Sequence, residues 1–347
     1  MKKLLAAILG STGMIGQHFV QHLQDHPWIK IERVAASERS VGMRYRHAMR
    51  TVHIKHVSNE IAELEVCPIT PKAVGDVDVV FSALPAEVAT NIEEDFAEAG
   101  MIVISTARSH RMDPDVPILI PEINAEHVGL IEEQRRRRGW DGAIITEGNC
   151  TTITIVMPLK PIYDDYGIES VVLSSMQAVS GAGYPGVESL DIIDNVIPFI
   201  ENEEEKVQVE TLKILGTPKE PAQFKVSASC HRVPVIDGHT EAVFVGTKKK
   251  AEPDEVVKCM RNFRGEPQRL KLPSAPKHPI IVRDEEYRPQ PRLDRMTEKG
   301  MAIVVGRVRS DPVLDGVKFV VVGHNTIRGG AGNSVLTAEL LKAKGII

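Results

Sequence analysis

The pattern of apolar and polar positions changes character near residue 150. Residues 3–9 are almost wholly apolar and stop at Gly10, which predicts a buried strand. Gln17 to Leu23 predicts a helix with Phe19, Val20 and Leu23 on one face. Ile31 to Ala35 reads as the second strand, and Asp78 to Pro85 as another buried one. Ala89 to Gly100 predicts a helix with acids outward, followed by a strand from Met101 to Ser105. Ala143-Ile144-Ile145 is strand-like, and Ile153 to Leu159 could open a helix. Strands alternating with helices predict an open α/β sheet.

Past Cys150, strand-like runs dominate: Ser170–Val179, Phe224–Ala228, Glu241–Thr247 and Met301–Arg309. A last apolar helix, Ser334 to Leu341, has Val335, Leu336, Ala338, Leu340 and Leu341 to bury and is expected to pack back on the first domain. A chain of 347 residues exceeds one small core. The expected division is a first domain of residues 1–149 plus 326–347, and a second of 150–325.

Composition removes several alternatives. A net charge of −5 gives no electrostatic case for a nucleic-acid partner. The basic run Arg135-Arg136-Arg137-Arg138 follows Glu132-Glu133 and reads as a solvated helix face. The four cysteines, Cys67, Cys150, Cys230 and Cys259, form no CxxC pair. That spacing argues against a zinc site or a disulfide framework, and it fits a reducing, cytoplasmic setting. No apolar run reaches the length of a membrane span. His18, His22 and His26 would share a helix face, but they lack an acid or cysteine partner and are expected at the surface, with no metal.

Candidate chemistry clusters at turns. Gly10-Ser11-Thr12-Gly13-Met14-Ile15-Gly16 follows the first strand and opens a helix, as a dinucleotide-phosphate cradle requires. After the second strand come Ser37, Glu38, Arg39 and Ser40. An acid there suits a ribose diol and an arginine suits a 2′-phosphate, and NADP is the favoured reading. Ser82 and Leu84 end a strand in a place where a cofactor could pass. Arg111, after the strand ending at Ser105, suits an anion. Cys150 sits where a strand meets a helix, so free N–H groups and the helix dipole could stabilise a thiolate. The competing reading is a small buried hydrophobe. Twelve histidines are present, so spacing alone does not choose an acid–base partner.

Gly148-Asn149-Cys150-Thr151, Gln177 to Tyr184, Arg232 followed by His239-Thr240-Glu241, and His324 to Gly329 occur in one order. In that combination the whole chain resembles the aspartate-semialdehyde dehydrogenase family, in its archaeal and fungal branch. The resemblance implies a Rossmann-like NADP domain and a mixed α/β catalytic and dimerisation domain like that of glyceraldehyde-phosphate dehydrogenase. It implies reduction of β-aspartyl phosphate to aspartate semialdehyde through a cysteine thioester, within amino-acid biosynthesis, in a homodimer or homotetramer. By the same resemblance Cys150 is the nucleophile, His239 the general acid/base, and Gln177 orients the acyl group. Arg232 holds the substrate carboxylate. Glu203 and Lys206 meet the amino group and phosphate. Arg111 and Asn149 lie on the phosphate side. Gly181 and Asn325 belong to loops near the cofactor. Many members of this branch read Asn-Pro-Asn-Cys-Ser where this chain has Glu147-Gly148-Asn149-Cys150-Thr151, which places the difference at the pocket edge. Malonyl-CoA reductase shares the resemblance but lacks the Glu-x-x-Lys pair and the asparagine before cysteine; both are present here.

Overall fold

The computed structural model describes residues 2–347 except Val52 and Lys55. Its first sheet holds β1 (Leu4–Leu9), β2 (Ile29–Ala35), β3 (Val66–Cys67), β4 (Val79–Ser82), β5 (Ile102–Ser105) and β6 (Ala143–Thr146). All neighbours pair in parallel, in the order β3-β2-β1-β4-β5-β6. The order reverses beside β1, so a crevice opens past the carboxyl ends of β1 and β4. Gly10 stands there with φ +70°, and a Cβ would fall 2.6 Å from the Ala83 carbonyl. Only glycine makes that turn so close to the neighbouring strand.

Numbering helices of nine residues or more, α1 is Met14–Leu23, α2 Ala86–Glu98, α3 Leu130–Arg138, α4 Cys150–Tyr166, α5 Glu203–Leu215, α6 Pro253–Asn262 and α7 Gly332–Ala343. Phe19 and Val20 of α1 share one core with Leu4, Ala6 and Ile8 of β1 and with Val335, Leu336 and Leu340 of α7. The chain thus returns to its first sheet at its end. His26 fastens that return. It is buried, its Nδ1 accepts from the N–H groups of Trp28 and Ile29, and its Nε2 lies 2.7 Å from Glu339. This corrects the surface expectation for the histidines: His18 and His22 are half-buried as well. The three are on one amphipathic helix and its exit, where a polar residue need not point outward if α7 supplies a partner.

The second sheet runs β10-β11-β12-β9-β7-β8, with β7 Ile168–Gln177, β8 Lys225–Arg232, β9 His239–Thr247, β10 Ile280–Arg283, β11 Ile303–Asp311 and β12 Gly316–Gly323. Its two end pairs are parallel and its central pairs antiparallel. Helix α4 packs on one face, where Ile155, Leu159 and Ile162 meet Val171, Val243 and Phe319. β12 escapes the sequence reading because Val320-Val321-Val322 blurs the two-residue alternation. β8 runs four residues past the expected end and β9 starts two before the expected beginning. Those extensions put Arg232 and His239 at strand ends.

The basic run is only partly solvated. Arg136 and Arg137 are exposed. Arg138 instead bonds Asp113 at 2.8 Å and Asp115 at 2.7 Å, and lies 5.0 Å from the Trp140 ring. Among the described residues no helix is long and apolar enough to cross a membrane.

Candidate active site

The first sheet delivers the cysteine. β6 ends at Thr146, and Asn149 caps α4, its Oδ1 accepting from the N–H groups of Thr151 (2.9 Å) and Thr152 (3.2 Å). Cys150 is therefore the first residue of α4. The second sheet delivers its partner. His239 Nε2 lies 3.1 Å from Cys150 Sγ. The other ring nitrogen, Nδ1, accepts from the Ala178 N–H at 3.1 Å. A neutral ring with Nδ1 accepting carries its proton on Nε2, so that N–H points at sulfur.

Two influences oppose each other at Sγ. Enclosure pushes the thiol up to about 12, and the Glu203 charge adds to this. Arg232, Arg111 and the Thr151 N–H pull it down. This tempers the expectation from the helix terminus: at rest the dipole does not win outright, because burial costs the anion more than one helix end returns. The imidazolium is also disfavoured. Burial, then the Arg232 charge, bring His239 down to about 3. The pair is a neutral Nε2–H donor facing a half-buried sulfur.

Around this pair sit buried charges. Arg232 is 6% exposed and donates from Nη1 to the Ala178 carbonyl at 2.9 Å. Gln177 pairs with Arg232 in the sheet register and donates to Ser175 Oγ at 3.2 Å. Glu203 accepts from Asn149 Nδ2 at 2.8 Å and from Lys206 Nζ at 3.2 Å. Burial opposes its charge, but Lys206, Asn149 and Gln177 outweigh it and hold Glu203 below its ordinary value. Arg111 donates to Glu210 at 3.0 Å and to the Thr106 carbonyl at 2.9 Å. Its buried Nε has no partner among the described residues. Gly181 must lack a side chain, since a Cβ would come within 2.7 Å of Arg232 Nη1 and 2.9 Å of His239.

A cleft of about 200 Å³ opens on Cys150, lined also by Arg111, Asn149, Gly181, Asn325, Met14 and Ile15. Met14 also lines a second cavity of about 220 Å³, with Thr12, Gly13, Ser37, Arg39 and Ser40. The glycine turn thus joins the two cavities into one groove. Arg50 is in the second cavity and, among the described residues, no carboxylate lines it; Glu38 stays outside. Gly13 precedes α1 without any side-chain cap, which leaves the first N–H groups of the helix for phosphate. This donor set, two arginines and the hydroxyls of Thr12, Ser37 and Ser40 beside a free helix end, fits NADP.

Other expected cofactor residues are placed differently. Ser11 is buried and donates to the Ala35 carbonyl. Ser82 is buried and donates to Glu93 at 2.6 Å, because its side chain points to α2 rather than the crevice. Leu84 is buried in the apolar core between sheet and α2. Asn325 lines the cleft, but its side chain ties Gly238, by its N–H, to Ser180 Oγ. At the altered pocket edge, Glu147 lines the cleft and accepts from Ser334 of α7 at 2.8 Å. Burial pushes its carboxyl up to about 7. Sequence reasoning missed the Ala178 N–H and Glu210. Glu210 lies seven residues after Glu203 on the same face of α5, but its partners come from distant segments that only packing brings near.

Comparison with known proteins agrees across the chain. Residues 5–131 match the family model described as semialdehyde dehydrogenase, NAD binding domain, and residues 159–328 that described as semialdehyde dehydrogenase, dimerisation domain. An aspartate-semialdehyde dehydrogenase of Methanothermobacter thermautotrophicus is 53% identical, over 96% of this chain and 97% of that one. A malonyl CoA reductase (NADP) of Metallosphaera sedula is 44% identical, over 100% of this chain and 99% of that one. The crystal structure of aspartate-semialdehyde dehydrogenase with NADP from Candida albicans superposes with a TM-score of 0.92 at 40% identity, covering 99% of this chain and 100% of that one.

Proposed function

The chain belongs to the semialdehyde dehydrogenase family, and from that premise we propose how its residues work. The reaction is the NADPH-dependent reductive dephosphorylation of β-aspartyl phosphate to aspartate semialdehyde. The observation that carries it is the Cys150–His239 contact, set between the glycine turn and two buried guanidinium groups.

Sγ attacks the acyl carbon, the bond to the phosphate oxygen breaks, the thiol proton leaves on the departing phosphate, and Cys150 holds the acyl group as a thioester. When bound, NADPH supplies the hydride that reduces this thioester to the aldehyde. His239 Nε2–H donates to sulfur as negative charge develops there, during attack and again as the carbon–sulfur bond breaks. Arg232 grips the α-carboxylate and Arg111 the phosphate, each as a charge-assisted donor. Glu203 receives the substrate ammonium, and Lys206 completes the phosphate side. Gln177 lies on the floor beneath the acyl group. Arg39 and Ser37 would hold the cofactor at one end of the groove, Gly13 and Met14 between, and Asn325 and Gly181 at the other.

The second domain carries exposed apolar side chains, among them Leu190 at 89% and Phe199 at 71%. Such a patch supports a homodimer through this domain, or a tetramer built from two such dimers. Sedimentation equilibrium distinguishes the two.

NADP reduction is measured with aspartate semialdehyde and phosphate, in parallel with malonate semialdehyde and CoA. Turnover with the first pair is expected, because Glu203, Lys206 and Asn149 surround a place for an amino group and phosphate. Turnover with the second alone would make the chain a CoA-thioester reductase and remove those substrate roles.

A further inference from the structure

Helix α5 presents charged side chains of alternating sign at positions 203, 206, 210 and 213, a spacing that follows one face of the helix. Glu203 and Lys206 have roles above. Glu210 does not, and it is the more deeply placed: its residue is 2% exposed. One carboxylate oxygen accepts from Arg111 Nη1 at 3.0 Å. The other accepts from the backbone N–H of Asn149 at 2.6 Å. Asn149 is the residue before the nucleophile. One turn further along, Lys213 Nζ donates to the carbonyls of Arg111 (2.6 Å), Asp113 (2.8 Å) and Val116 (3.0 Å). The segment that carries Arg111 is therefore held twice by the same helix, at its side chain and at its backbone.

We propose that Glu210 is a positioning residue that fixes the Arg111 guanidinium relative to the peptide preceding Cys150, so that one carboxylate sets the distance between the phosphate grip and the sulfur. Two of the three guanidinium nitrogens are engaged, Nη1 by Glu210 and Nη2 by the Thr106 carbonyl. The plane of the group is thereby set, and Arg111 lines the same cleft as Cys150. Carboxylate is needed rather than amide. Both of its oxygens accept, and both partners donate, whereas a glutamine would turn an NH₂ group toward one of them. Misplacing a reacting group by a fraction of an ångström is costly in an oriented reaction. The inference rests on the reading of Arg111 as the phosphate ligand.

The test is a double-mutant cycle in the phosphorylating direction, with Glu210→Gln, Arg111→Lys and the pair. Glu210→Gln is expected to lower kcat/KM for phosphate about tenfold, the scale of one misaligned charge-assisted bond. The NADP dissociation constant and the KM for aspartate semialdehyde should stay within about twofold. In the Arg111→Lys background the same change should cost less than about threefold, since the fork it positions is gone. Glu210→Asp, which can reach one partner only, should fall between. A loss that adds in full to Arg111→Lys overturns the inference, as does a gain in kcat/KM for phosphate, which would show the carboxylate acting only as a repelling charge. Weakened NADP binding with a lowered melting temperature in both Gln and Asp variants would also overturn it, by showing a packing role. If Arg111→Lys itself leaves phosphate kinetics unchanged, the phosphate reading of Arg111 fails first and the inference falls with it.

Discussion

The two ends of the groove are built on different terms. At the Cys150 end nearly every polar side chain is already held by another part of the protein: Asn149 by Glu203, Arg111 by Glu210, Arg232 by the Ala178 carbonyl, His239 by the Ala178 N–H. At the far end Ser37 and Arg39 are exposed, and no side-chain hydrogen bond or ion pair holds Arg39 among the described residues. One end is organised before anything binds, and the other is organised by what binds. The first arrangement suits bond making, where geometry enters the rate. The second suits recognition of a diffusing cofactor, where the arginine is free to meet its phosphate. Substitutions at the first end should therefore act on kcat, and those at the second on KM.

The sharpest break of this contrast is Cys150→Ala. It should lower kcat by at least about a thousandfold, because no thioester can form, while leaving the NADP dissociation constant within about twofold. Fluorescence titration beside steady-state assays checks both halves. Retained turnover would remove Cys150 from the chemistry. Arg39→Ala is the converse at the other end. It should raise the KM for NADP about tenfold and leave kcat and the KM for NAD nearly unchanged, if the arginine meets the 2′-phosphate alone. A fall in kcat would mean the two ends are not separate.

A subtler test stays within the rigid end. The iodoacetamide alkylation rate of Cys150 follows its thiolate fraction, which grows as pH rises toward the raised pKa near 12. Glu203 raises that value and Arg232 lowers it. Glu203→Gln should therefore move the alkylation profile to lower pH, and Arg232→Leu to higher pH. Shifts of the same sign in both variants would show that the profile reports packing rather than charge.

What could be read from the amino acids divides along a physical line. Cys150, Asn149 and the glycine turn lie in short motifs whose local geometry follows from the chain itself, a strand meeting a helix. Arg232 and His239 were named through resemblance, and the fold places them at strand ends on either side of β7. Glu210 was not legible, because its partners are 61 and 99 residues away and only the packing of α5 brings them together. The Ala178 N–H left no trace, since any residue but proline supplies it. Ser82 misled because a small residue at a strand end can face either side, and the sheet turned it toward Glu93. His26 misled for a related reason: its partner Glu339 lies 313 positions away on the last helix.

The smallest expected effect is on stability, and it again separates the two ends. His22, on α1, is lowered to about 4 by burial, with His18, His324 and His26 adding repulsion; His324 is lowered to about 4 as well, by burial first. A histidine whose folded value lies below its unfolded value of 6.5 takes up its proton in the unfolded chain first. Its contribution to stability is thus intact above 6.5 and is lost as pH falls from 6.5 toward 4. His324 directly precedes Asn325 of the cleft, and His22, in the last turn of α1, feels the His324 charge. His22→Gln should therefore flatten the decline of urea-unfolding stability with acidification over that window, by on the order of 1 kcal/mol per pH unit. His47→Gln, at an exposed position on the short helix Tyr45–Ala48 past Arg39, serves as the control. An equal effect of both substitutions would mean that acid acts on the chain generally, and that the rigid end owes none of its pH sensitivity to these buried rings.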